Sequence, residues 1–361
     1  MGWCLSNGLQ ALPKQDEPVW QIAKNSVAMI MRQGVVTGEA VLIDKSGLFL
    51  ANQSAISTPN VQARMADGTN IVLDWRATDV PTQTVLLQAE EWAPEHGTVV
   101  TLRPPSAKLA KLPVLVVLPS GPVRGELVDG NVVGYLSSSK RSFPLGEVRF
   151  EASTQSVAGA LLFDEGGHLV GLLNATLATQ EPQSKFVHIA GPKSGSMPPI
   201  SLGGGNGGGG SPGNNGKNIA GNMNQFGPAD FTTGYTVGPE VLRRVVSGFL
   251  SPTHKVLHPA IGIQCKYDPL TPGALITLVK DGSPAALAGI QVGDLIVRMD
   301  ERPIKNQFDF AQVIEAKDVG DSLTITVMRF ATSHTFNLTV GTIQKAQVVP
   351  DPAISKSETG G

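Results

Sequence analysis

From Val19 to Asn174 the chain runs as short apolar stretches broken by Gly, Pro, Asp and Asn. Gly38-Glu39-Ala40-Val41-Leu42-Ile43, Val85-Leu86-Leu87, Val99-Val100-Thr101-Leu102, Val114-Leu115-Val116-Val117-Leu118 and His168-Leu169-Val170-Gly171-Leu172-Leu173 are such stretches. Runs this short, with turn residues between them, predict strands of an all-β sandwich or a pair of barrels. One early helical stretch is expected at Val19 to Met31, before the first strand. A second helix is predicted over Pro239 to Leu250, where apolar positions 241, 242, 245, 246, 249 and 250 form one face and Gly238-Pro239 marks the start. Between Ala260 and Thr342 the pattern turns mixed. Strands are expected at 274–279, 294–299, 322–329 and 335–340, with helices at 284–288 and 307–316.

The stretch Ser201 to Asn218 is made almost wholly of Gly, Asn, Ser and Pro. It cannot bury enough apolar surface to offset the entropy of ordering, so a flexible region is expected there, extending over 181–233. The polar tail from Val348 to Gly361 is expected to be loose.

Composition narrows the function classes. At 361 residues the chain has room for two or three domains with buried cores. Its net charge of -2 and scattered basic residues argue against a nucleic-acid partner. Cys4 and Cys265 lack zinc-ligand spacing and do not fix the redox compartment. No stretch approaches the roughly 18–20 apolar residues of a membrane helix. Met1 to Gly8 has neither a basic nor an apolar region, so the chain as written is expected to carry no export signal.

Four anchors, in order, resemble the HtrA/Deg family of trypsin-like serine proteases. Residues 38–52, from Gly38-Glu39-Ala40 to Leu50-Ala51-Asn52, look like the family's paired strands leading to the catalytic histidine. Asp79-Val80-Pro81-Thr82-Gln83-Thr84-Val85-Leu86-Leu87 looks like its catalytic aspartate segment. Residues 158–174, from Ala158-Gly159-Ala160 to Leu172-Leu173-Asn174, match its post-nucleophile hairpin. The fourth anchor, Gly273-Ala274-Leu275-Ile276 with Gly282-Ser283-Pro284-Ala285-Ala286-Leu287-Ala288-Gly289-Ile290-Gln291-Val292-Gly293-Asp294-Leu295-Ile296, is a PDZ signature. The resemblance implies a mainly β chain: a trypsin-like double β-barrel followed by an α+β PDZ domain. It divides the chain into an N-terminal extension (1–18), the double barrel (19–180), a flexible insertion (181–234), the last barrel strand and helix with a linker (235–255), the PDZ domain (256–344) and a disordered tail (345–361).

All three positions of the implied triad depart from the pattern. Ser54 stands at the histidine, and a hydroxyl takes up no proton near neutral pH. Gln83 stands at the aspartate and is neutral, so it cannot stabilise an imidazolium. Val157 stands at the nucleophile, with no proton to lose and no lone pair to attack. Gln155 replaces the glycine that aims the oxyanion-hole amides. Histidines 96, 168, 188, 254, 258 and 334 read as solvent-exposed loop residues, none paired with Ser or Cys in a Gly-x-Ser-x-Gly setting. No His/Asp/Glu cluster has metal-ligand spacing, and the resemblance implies no cofactor.

A PDZ domain takes a peptide C-terminus as an added strand beside a helix. Here Pro259-Ala260-Ile261-Gly262-Ile263-Gln264 resembles the carboxylate loop and the strand after it. Ala260, Ile261, Gly262 and Ile263 are the expected loop contacts, and Phe310, Val313 and Ile314 the apolar stripe of the groove helix. The expected function is therefore a non-catalytic HtrA-like pseudoprotease: a scaffold, chaperone-like or regulatory protein binding peptide or protein C-termini. Two readings compete with it, a barrel that binds something else with the Gly-rich loop as tether, and an active HtrA-type endopeptidase of protein quality control. The resemblance also implies a homotrimer or a mixed oligomer with active relatives, and a place in the cell envelope.

Overall fold

The structure, a computed structural model, describes residues 16–56, 58, 60–104, 110–136, 141–151, 159–177, 186–189, 231–267 and 271–342. Val157, Gln155, Cys4 and most of 181–230 lie outside them.

Helix α1 (Glu17–Ala23) and a 3-10 turn lead into β1 (Val27–Arg32), β2 (Val35–Asp44), β3 (Leu48–Asn52), β4 (Asn60–Met65), β5 (Asn70–Asp79) and β6 (Thr84–Ala89). These six close into a barrel in the order β1-β2-β3-β6-β5-β4. The helix expected over 19–31 therefore stops at Ala23, and Val27 to Met31 is strand. This segment is apolar throughout, so its period is ambiguous, and pairing with both β2 and β4 decides the matter by closing the barrel.

The second barrel comprises β7 (Leu112–Leu118), β8 (Gly121–Leu136), β9 (Arg141–Glu151), β10 (Leu161–Phe163), β11 (Leu169–Leu177) and β13 (Phe231–Val237). Its pairings run β7-β8-β9-β13-β11-β10 and return to β7. Strand β12 (Phe186–Ile189), inside the segment expected to be flexible, pairs with β11 and β8. The run at 99–102 forms only a bridge, Leu102 to Leu169.

Strands buried on both faces explain the near-continuous apolar runs. In β2, Ala40 and Leu42 fill the first barrel's interior, whereas Val41 and Ile43 join a core shared between the barrels. Helix α2 (Pro239–Leu250) seals that shared core with Val241, Leu242, Val245, Val246 and Phe249, as its periodicity predicts. Val114, Val116, Leu162 and Phe150 fill the second barrel.

The remaining residues form β14 (Pro259–Ala260), β15 (Ile263–Tyr267), β16 (Ala274–Val279), α3 (Pro284–Leu287), β17 (Leu295–Met299), β18 (Arg302–Pro303), α4 (Gln307–Glu315), β19 (Ser322–Arg329), β20 (Thr332–Thr339) and β21 (Gly341–Thr342). The sheet runs β15-β16-β17-β19-β20 and leaves β15 at its edge. The chain is thus mainly β, a trypsin-like double barrel followed by a PDZ domain. Among the described residues no helix is long and apolar enough to cross a membrane.

Candidate functional site

Ser54 lies in the turn after β3, and Gln83 in the turn before β6. Pairing of Asn52 with Thr84 brings these turns to one end of the first barrel. Gly38, on the neighbouring β2, leaves room for the first turn: a Cβ there would stand 2.5 Å from that of Ala55. The hydroxyl of Ser54 is buried and makes no hydrogen bond. Gln83 adopts φ +56° and folds its amide back, Nε2 donating to the Val80 carbonyl at 3.0 Å. The Asn52 carboxamide oxygen accepts from the Ser54 backbone N–H at 2.9 Å.

A layer of buried polar side chains lies along this end of the barrels. Asn52, Thr82, Thr84 and Asn174 are completely buried, and Asp79 nearly so. Asn174 ties the barrels together: its Nδ2 donates to the Thr82 carbonyl at 2.6 Å, and its Oδ1 accepts from Val237 N–H at 3.4 Å. Glu39, on β2, is buried with both carboxyl oxygens unpartnered. Burial pushes its pKa up to about 8, so the group is a neutral acid at pH 7.

One expectation is overturned here. His258 is no exposed loop residue: its ring is sealed, with Nε2 2.9 and 3.0 Å from the two oxygens of Asp79. Sequence reasoning missed the pair because 179 positions separate its members and His258 lies in no motif. Of the other histidines, His168 and His96 are partly exposed and contact Asp164 and Asp67. His254 bonds the Phe249 carbonyl at the end of α2, and His334 lies within β20, stacked on Phe336.

In the PDZ domain, Ile261, Val313 and Ile314 are buried in one core, and Ile263 and Phe310 pack partly exposed against it. Gly262 turns the chain between β14 and β15 at φ +82°. The carbonyls of Ile261 and Gly262 are engaged, accepting from Ala285 N–H (3.0 Å) and Lys280 N–H (2.8 Å). In planar trans peptides the N–H groups of Gly262 and Ile263 then point the opposite way. Two consecutive amides turned away from those bonds, beside the unpaired edge of β15, suit a carboxylate and an added strand. Helix α4 faces this edge strand and is capped by Asn306, whose oxygen accepts from Phe308 and Asp309 N–H at 2.8 and 3.0 Å. On β15 itself, burial pushes the Cys265 thiol up to about 12, leaving it protonated and a poor nucleophile. Among the described residues no three His, Cys, Asp or Glu side chains are grouped to hold a metal.

Comparison with known proteins agrees with this architecture. The PDZ domain family matches residues 259–340. A probable periplasmic serine endoprotease, DegP-like, of Pseudomonas fulva (strain 12-X) is 23% identical over 319 residues, covering 86% of this chain and 57% of that protein. Its namesake in Rhizobium meliloti (strain 1021) is 33% identical over 86 residues, 24% of this chain and 17% of the relative. The chain therefore spans little more than half of these curated relatives' length at most. Among solved structures, the HtrA-type protease AlgW with decapeptide superposes with a TM-score of 0.59 at 14% identity, covering 91% of this chain and 98% of that one. The serine endoprotease from Yersinia pestis gives 0.54 at 14% identity, covering 92% and 100%.

Proposed function

We propose that this protein, an HtrA family member with a trypsin-like double barrel and a PDZ domain, captures peptide C-termini without cleaving them. The observation that carries the reading is the state of Ser54 and Gln83. The first has a hydroxyl with no partner, and the second spends its amide on its own turn. Neither side chain can accept and hold a proton at neutral pH, so acyl transfer lacks its base. Val157, on this reading, removes the nucleophile as well.

Binding is assigned to the PDZ groove. The N–H groups of Gly262 and Ile263 receive the terminal carboxylate, and β15 accepts the peptide as a sixth strand in its row. Ile263 and Phe310, the partly exposed residues packed on that core, offer an apolar surface to the terminal side chain. The barrels then act as a scaffold, in a homotrimer or in mixed oligomers with active relatives. The relatives' names describe endoproteases, and cleavage is the reading to be excluded by experiment.

The deciding experiment pairs fluorophosphonate labelling and casein digestion with a peptide-terminus binding assay on the full chain. Binding without labelling or digestion is expected. Stoichiometric labelling of a serine overturns the non-catalytic reading.

A further inference from the structure

The turn from Asp79 to Thr84 carries Gln83, and it also holds the linker to the PDZ domain. His258 immediately precedes β14, and its Nε2–H donates to the Asp79 carboxylate. Both side chains are only 4% exposed. Thr82 Oγ1 donates to the same carboxylate and bonds Thr84 Oγ1 at 2.8 Å, so the acceptor is held from its own side. Phe143, on β9, closes over the imidazole edge to face, ring centres 5.9 Å apart. One histidine thus touches both barrels and stands four residues before Gly262.

A second fastening grips the opposite wall of the groove. Arg244 of α2 reaches the C-terminal end of α4, with Nη1 3.0 Å from the Glu315 carboxylate. Its Nη2 donates to the Glu315 and Lys317 carbonyls at 2.8 and 3.1 Å. A cation there satisfies orphan carbonyls and opposes the helix dipole. Glu315 is 2% exposed and Arg244 13%, so water screens the pair little. Helix α4 also packs against β8 and β9.

We infer that the Asp79–Thr84 turn is a docking site for the chain's own PDZ domain, with His258 the peg and Arg244–Glu315 the second fastening. The two walls of the peptide groove are each fixed to the barrels, which set their separation. His258, Asp79, Arg244 and Glu315 are positioning residues: they touch no peptide, and they act through the loop and the helix that do. The dependence of peptide capture on docking rests on the reading proposed above; the docking itself does not.

The test uses the full chain and two readouts. Amide relaxation of PDZ residues reports whether that domain tumbles with the barrels, and a fluorescein-labelled decapeptide ending in Ala-Ala-Leu reports groove affinity. In the wild type both regions should share one correlation time. Asp79→Asn combined with Arg244→Met should let the PDZ domain tumble faster than the barrels and weaken the decapeptide about tenfold, the scale of coupling between contacting groups. Glu315→Gln alone gives a smaller shift of the same sign, and serves if the double variant does not fold. A PDZ domain that keeps the barrels' correlation time in the folded variants overturns the docking role. A wild type that binds no peptide overturns groove capture, while relaxation still decides the docking.

Discussion

The backbone N–H of Gln53 donates to the carbonyl of Gln83 at 2.8 Å, locking together the turn that carries Ser54 and the turn that carries Gln83. Asn52 caps the first turn through the Ser54 N–H, whereas the Ser54 hydroxyl is buried and idle.

Opposite outcomes are therefore expected at these two polar positions. Ser54→Ala removes an unsatisfied buried hydroxyl and should leave stability unchanged or raise it by about 1 kcal/mol. Asn52→Ala removes the cap and should cost about 1–2 kcal/mol. Urea denaturation distinguishes them. A loss of stability in Ser54→Ala matching that of Asn52→Ala would mean the hydroxyl has a partner in solution.

On the proposed reading Gln83 stands where an active HtrA protease has an aspartate, and Gln83→Asp should destabilise. It deletes the donor to Val80 and puts a carboxylate beside that carbonyl, four residues from buried Asp79. The expected cost is about 1–3 kcal/mol by the same denaturation assay, with no fluorophosphonate labelling gained. Unchanged stability would show that the Nε2 bond contributes nothing.

Glu39 gives the chain a pH dependence with a definite sign. Its folded pKa of about 8 lies above the unfolded 4.5, and burial is the cause. Between these values the unfolded chain releases a proton that the folded chain keeps, so stability falls as pH rises and levels off above about 8. The full penalty is on the order of 5 kcal/mol, at 1.36 kcal/mol per pH unit. In Glu39→Gln this component disappears: the variant should gain on the wild type steadily from pH 5 to pH 8. Urea midpoints of both proteins at the two pH values measure it. Parallel midpoints would place a partner beside Glu39.

Much of this molecule could be read from its sequence, for physical reasons that differ by element. Helix α2 matches its expected bounds, 239–250, because a period of 3.6 over twelve residues is unambiguous. Strands β16 and β19 also match, each bounded by turn residues. Residues 27–31 did not declare themselves, since a strand buried on both faces carries no alternation. In the PDZ stripe, Val313 and Ile314 are core, and their spacing alone could not separate groove from interior. The buried contacts from His258 to Asp79 and from Arg244 to Glu315 bridge distant segments, and such pairs leave no local pattern.

The sharpest test of the carboxylate loop is Gly262→Ala. Gly262 sits at φ +82°, where a side chain is strained, and an added Cβ would stand 2.2 Å from the Cβ of Ser283. Ser283 cannot yield easily: its hydroxyl caps α3 by accepting from Ala286 N–H at 3.3 Å. Relief requires the loop to move, which should strain the bonds from Ala285 and Lys280 and displace the Gly262 and Ile263 amides. The substitution should cost the PDZ domain about 1–3 kcal/mol, the scale of backbone strain, and abolish peptide-terminus binding. Ser283→Gly in the same chain removes the obstructing Cβ and should recover part of the binding, although the strain at φ +82° remains. Titration of the single and double variants with the labelled decapeptide measures both effects. Full affinity in Gly262→Ala would mean that the carboxylate is received elsewhere.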